Sequence, residues 1–136
     1  MVVLNKEAIG YINVFSTMTK SDVRQCFVTS SGITFVVETH QAGLAIGKNG
    51  INIKRLSQMF RRPLRVIEYN VDKATFLKNI LFPLIPKDIL VEGEKLKIIA
   101  EDYAQKGKIY GRERTNLSRI KEIFSSEFKN FEITVG

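Results

Sequence analysis

The spacing of apolar residues changes period several times along the first seventy positions. Leu4, Ala8, Tyr11, Ile12 and Phe15 recur at helical spacing, and Asn5 stands where a capping side chain belongs. Arg24–Thr29 and Ile33–Thr39 are rich in Val, Ile, Phe and Thr, which predicts two strands joined into a hairpin at Ser30-Ser31-Gly32. Residues 41–46 predict a short helix leading into a loop bounded by Gly47 and Gly50. In the helix that follows, Ile53, Leu56 and Phe60 share one face, with Asn52 and Arg55 nearer the opposite side. Pro63 is expected to stop that helix and Leu64–Glu68 to form a closing strand.

The pattern then begins again. Asp72 caps a predicted helix carrying Phe76, Leu77, Ile80 and Leu81, ended by Pro83 and Pro86. Ile89–Glu92 and Leu96–Glu101 flank a Glu-Gly-Glu turn as a second hairpin. A short helix over 103–109 leads into Gly111-Arg112-Glu113-Arg114, followed by a helix with Leu117, Ile120, Ile123 and Phe124 and a strand over 131–135. Each half therefore reads α-β-β-α-loop-α-β. At an offset of 64, Gln41, Gly43, Gly47, Asn52, Arg55 and Phe60 meet Gln105, Gly107, Gly111, Asn116, Arg119 and Phe124. Ile53 meets Leu117 and Leu56 meets Ile120. Identities concentrated on the loop and its flanking helices point to a duplicated functional unit. The expected domains are residues 1–70 and 71–136; no Gly/Ser linker separates them, so the halves are expected to pack rather than hang from a tether.

Composition narrows the chemistry. At 136 residues, 44% hydrophobic and 26% charged, the chain has the profile of a folded protein rather than a disordered one. A net charge of +7 and a pI near 9.6 favour a polyanionic partner. The first seventy residues carry net +5 and the remainder net +2. Between Lys48 and Arg65 lie six basic residues (Lys48, Lys54, Arg55, Arg61, Arg62 and Arg65) and no acidic one. Glycines three apart let a backbone approach a ligand closely, and a helix starting directly after them adds unpaired N–H donors and partial positive charge. Such a loop suits phosphate. The three C-terminal cations of the run are evenly balanced between solvated and RNA-facing positions.

The residues of the loop resemble the KH family of RNA-binding domains. Its pattern, I-G-x-x-G-x-x-I-x-x-L/I, is filled at every fixed position by Ile46 through Leu56. The element order, with the hairpin before the loop and one strand after it, resembles the type II arrangement. The tandem, with Val36-Val37-Glu38 and Gly43 to Gly50, is similar to the archaeal NusA-related transcription factors. The resemblance implies an α/β (more narrowly α+β) chain of two tandem type II KH units, each with helices on one face of a three-stranded sheet. It implies a single-stranded RNA site at Ile46, Gly47, Lys48, Asn49, Gly50, Ile51, Asn52, Lys54 and Arg55, with Ile46 and Ile51 as an apolar floor and Ile53 and Leu56 in the core. It also implies a role in transcription elongation or termination through nascent RNA, with RNA polymerase as a candidate partner. Bacterial NusA proteins also carry an N-terminal polymerase-binding domain and an S1 domain, and nothing here corresponds to either. Type II KH domains also occur in ribosomal proteins and assembly factors, which keeps a ribosome-associated role as the alternative.

The second loop departs from the pattern. Arg114 replaces the second glycine and Glu113 places a carboxylate in the loop. A side chain there is expected to obstruct the main chain and weaken binding, while Arg112 and Arg114 offer side-chain contacts instead. A possible second RNA site therefore comprises Gly111, Arg112, Arg114, Asn116 and Arg119.

Other features favour ordinary readings. His40 is the single histidine and has no ligand cluster around it in sequence. Cys26 is the single cysteine, which excludes an intramolecular disulfide and fits a small buried hydrophobe in a reducing, cytoplasmic setting. Glu38 and Glu101 fall at similar places in the two halves, but neither has a nucleophile or metal motif beside it. The expected protein is not an enzyme, a nuclease being the least favoured reading, and needs no cofactor or metal. No apolar run approaches the roughly 20 residues of a membrane span, and the N-terminus lacks a signal pattern.

Overall fold

The computed structural model describes residues 5–136, so Leu4 lies outside the described residues. The chain divides between Asn70 and Val71 into two compact units.

In the first unit, α1 (Lys6–Thr19) is followed by β1 (Val23–Thr29) and β2 (Gly32–Val37). Then come α2 (Ala42–Ile46), a 3-10 turn (Lys48–Gly50), α3 (Ile51–Phe60) and β3 (Leu64–Glu68). The Asn5 side chain caps α1 by accepting from the Ala8 N–H at 2.8 Å. The hairpin pairs β1 antiparallel with β2, and β3 joins the other side of β2 in parallel. The helices bury one face of this sheet. Phe15 of α1 stacks on Phe35 of β2 with ring centroids 4.0 Å apart, and Leu56 and Ala45 complete the cluster. Leu64 and Val66 pack against that cluster, so Arg65 and Ile67 belong to the other sheet face.

Two elements of this unit end earlier than expected. The second strand ends at Val37 rather than Thr39, because the chain turns at Thr39 and His40, with His40 left-handed at φ 69°. Helix α3 ends at Phe60, ahead of Pro63, because Arg61 adopts a left-handed conformation and returns its N–H to the Ser57 carbonyl. Pro63 has another task. Its carbonyl accepts from the Ile33 N–H at 2.9 Å, joining β3 to the hairpin. A Cβ on Gly32 would sit 2.5 Å from that carbonyl oxygen, so the hairpin turn needs glycine there.

The second unit repeats the order: α4 (Lys73–Leu81), β4 (Asp88–Glu92), β5 (Lys95–Ile99), α5 (Tyr103–Tyr110), a 3-10 turn (Arg112–Arg114), α6 (Thr115–Ser125) and β6 (Glu132–Val135). Strand β5 is central, antiparallel to β4 and parallel to β6. The turn of its hairpin is Gly93-Glu94, with Glu92 inside β4, and β5 stops two residues short of Glu101. Phe76, Leu77, Ile80, Leu96, Ile98, Ile120 and Phe124 are buried. Asp72 and Asp102 cap α4 and α5 by accepting from Thr75 and Gln105 N–H groups.

Candidate nucleic-acid interface

Helix α2 runs directly into the glycine loop. The Gly47 N–H donates to the Gly43 carbonyl at 2.9 Å, and the Gly50 N–H donates to the Gly47 carbonyl at 3.1 Å. Gly47 has φ 79° and ψ 168°, a region open in practice only to glycine. Asn49 and Gly50 are both left-handed, at φ 56° and φ 72°. The second loop traces the same backbone. Gly111 has φ 72° and ψ 175°, Glu113 φ 55° and Arg114 φ 60°.

The two glycines of the first loop have different reasons to be there. A Cβ on Gly47 would lie 2.9 Å from the Asn52 amide, and one on Gly111 would lie 2.6 Å from the Asn116 Cβ. The fold itself requires glycine at both places. A Cβ on Gly50 would meet nothing within 4 Å, and its φ and ψ are those that Arg114 adopts in the sister loop. A side chain in that conformation costs about 1 kcal/mol or somewhat more, which a folded domain tolerates. Gly50 is therefore not demanded by the fold, and the space in front of it is open.

Asn52 joins the two helices. Its Nδ2 donates to the Leu44 carbonyl at 3.2 Å, near the C-terminus of α2, where helix carbonyls lack intrahelical partners. Asn116 repeats the contact on the Lys108 and Ile109 carbonyls at 3.2 and 3.0 Å. Arg119 donates from Nε and a terminal nitrogen to the Asn116 Oδ1 at 3.3 and 3.0 Å. Both asparagines and Arg119 are half-buried and bonded within the protein. The sequence placed Asn52 on the outer side of its helix; the structure turns it inward against Gly47.

The remaining expected residues differ in exposure. Lys48, Asn49, Lys54 and Arg55 are exposed, while Leu56 is fully buried and Ile53 partly so. Ile46 and Ile51 are 37% and 42% exposed, and Leu44 at 52% joins them. The exposure of Leu44 could not be read from the sequence, because an aliphatic residue in a short helix carries the same hydropathy signal whichever way it faces. The basic run divides. Arg62 lies 3.5 Å from Glu7 and over the Tyr11 ring, bracing α1. Arg65 belongs to the far sheet face, where burial pulls its pKa down. Arg61 is exposed at the end of α3.

The features read as ordinary sit in ordinary surroundings. The Glu38 carboxylate accepts two hydrogen bonds from Arg24 at 3.0 and 3.2 Å, and that guanidinium lies 3.8 Å from the Tyr69 ring centroid. Burial, reinforced by the charge of Glu7, pushes the Cys26 thiol up to about 11, leaving it protonated and unreactive. His40 is exposed. Among the described residues, no group of three or more His, Cys, Asp or Glu side chains is placed to hold a metal ion. No helix of the described residues is long and apolar enough to cross a membrane.

Comparison with known proteins bears on this geometry. A family model described as KH domain matches residues 10–79, running from within α1 through the glycine loop and β3 into α4. A protein of Methanococcus vannielii named "Probable transcription termination protein NusA" is 31% identical over 98% of this chain and 80% of its own length. The chain belongs to the archaeal NusA-related KH family. Proteins with the same name from Methanocaldococcus jannaschii and Thermoplasma acidophilum are 27% and 23% identical. They align over 97% and 98% of this chain, and over 74% and 95% of their own lengths. In fold, this NusA-related chain is similar to the crystal structure of APE1850, with a TM-score of 0.74 at 24% identity over 98% of this chain and 100% of that one. KH membership places the chain among RNA-binding proteins.

Proposed function

We propose that the chain is a pair of type II KH units whose first loop anchors single-stranded RNA, and that it acts in transcription on the nascent transcript. The observation that carries the RNA site is Gly50: the fold accepts a side chain at that backbone position, so the bare glycine serves an approaching ligand. Gly47 and Gly50 bring the main chain against the sugar-phosphate backbone, and Lys48 and Asn49 present donors beside it. Lys54 and Arg55 add positive charge from the next turns of α3, while Leu44, Ile46 and Ile51 supply an aliphatic surface for about four unstacked bases. Asn52 acts one step back, fixing the angle at which α2 enters the loop.

The transcriptional role is supported by the shared name of the relatives and by their alignment over nearly this whole chain. Crosslinking of RNA in the cell tests it: enrichment of nascent transcripts supports the role, and enrichment of ribosomal RNA alone would point to ribosome assembly. The RNA site is tested by replacing Lys48→Asp and Asn49→Asp together. Single-stranded RNA affinity is expected to fall at least tenfold with the melting temperature nearly unchanged, since both side chains are exposed. The salt dependence should flatten as well, because roughly 0.7 in log K per decade of salt is lost with each phosphate contact. Unaltered affinity and slope would remove the loop from the site.

A further inference from the structure

We propose that the second unit contacts single-stranded nucleic acid through side chains rather than through a backbone cradle. Tyr110 is its stacking platform, and Lys108, Arg112 and Arg114 are its phosphate contacts. This rests on the RNA-binding reading of the first unit and assigns the second loop a different way of holding the same class of ligand.

The argument begins with what the repeat keeps and what it changes. The backbone of the two loops is the same, and the glycine–asparagine contact that sets it is present in both. The surface around it is exchanged. At the offset of 64, Leu44, Ile46 and Ile51 become Lys108, Tyr110 and Thr115, while Lys48 and Gly50 become Arg112 and Arg114. An aliphatic floor beside a bare main chain is replaced by an aromatic ring flanked by cations. That composition suits a chain of bases held without regard to their identity, since every base offers a π-face to a ring and every linkage a phosphate to a cation.

Arg114 carries the inference furthest. It adopts a left-handed conformation that glycine would take without strain, and directs its guanidinium to 5.4 Å from the Tyr110 ring centroid. Lys108, Arg112 and Arg114 are exposed and Tyr110 is half-exposed, so the pair forms an accessible surface rather than a buried brace. A planar guanidinium beside a ring extends the stacking surface and supplies charge at its edge. Glu113 stands between Arg112 and Arg114, where its carboxylate repels phosphate while the two flanking guanidiniums attract it.

The test uses the full chain and labelled single-stranded 20-mers of U and of A. Tyr110→Ala with Arg114→Gly is introduced into the natural sequence and into the Lys48→Asp/Asn49→Asp variant. In the latter, residual binding should be nearly equal for the two RNAs, and the added pair of changes should lower it by roughly five- to a hundredfold. Arg114→Gly alone should lower the salt slope by about 0.7. Melting curves monitor the fold, which Arg114→Gly should not weaken. If the added changes leave affinity and slope unaltered in both backgrounds while the natural sequence binds RNA, this site is overturned and the first-loop reading stands. A gain in affinity on Arg114→Gly would likewise overturn it, by revealing a backbone cradle that the side chain obstructs. A natural sequence that binds neither RNA overturns the RNA reading itself and this inference with it.

Discussion

At the scale of single residues, the two glycines of the first loop look alike in sequence and differ in cause. Gly47 is held by its own backbone angles and by the Asn52 amide pressed against it, whereas Gly50 faces open space. A motif shows both as invariant letters; only the distances around each reveal which one serves the fold. The same limit applied to Asn52. Helical periodicity placed it toward solvent, but the angle between α2 and α3 brings the Leu44 carbonyl within 3.2 Å of its amide. Asn52→Ala is therefore expected to cost about 1 kcal/mol for the lost hydrogen bond. It should also speed amide exchange at residues 47–51 in the absence of RNA, and weaken RNA binding several-fold. An Asn52 that acted only by touching RNA would leave the exchange of the free protein unchanged.

At the scale of elements, helix and strand identities were legible throughout, because apolar residues at helical spacing and Val/Ile/Phe/Thr-rich runs rarely imitate one another. The ends were less so. Arg61 stops α3 by turning left-handed, and nothing in its chemistry announces that, whereas Pro63 drew attention and proved to serve the sheet through its carbonyl. The caps at Asn5 and Asp72 were readable because a short polar acceptor before an apolar run has one common purpose, whereas Asp102, ahead of a helix with few apolar residues, was not singled out. Asp72 illustrates the energetic side. Hydrogen bonds from the Thr75 hydroxyl and then from its N–H hold the Asp72 carboxyl below its ordinary pKa. A carboxylate whose folded pKa is depressed stabilises above its unfolded pKa, near 4, and that contribution fades as pH falls through the folded value. Replacing Asp72→Ala should therefore lower the melting temperature at pH 7, and the difference from the natural sequence should shrink in acid as the pH falls through the depressed folded value. Equal differences at pH 7 and in acid would assign the effect to something other than the ionised cap.

At the scale of the whole molecule, duplication is the informative feature. The two units share an element order, a sheet topology and a loop backbone, yet the second has lost the bare glycine of the first. The offset of 64 exposed the repeat in the sequence. It could not reveal that the altered loop keeps its shape, because whether Arg114 tolerates a left-handed conformation depends on the packing around it. That retained shape makes the second loop an internal control for the first: one chain presents the same backbone with and without a side chain at the decisive place. The most direct measurement is the single-stranded RNA affinity of Gly50→Arg, taken beside its melting curve. The second loop implies that the fold will accept the arginine with a loss of about 1 kcal/mol, while affinity at the first loop falls at least tenfold. Full RNA affinity in a folded Gly50→Arg protein would contradict the claim that the open face of Gly50 is where RNA is held.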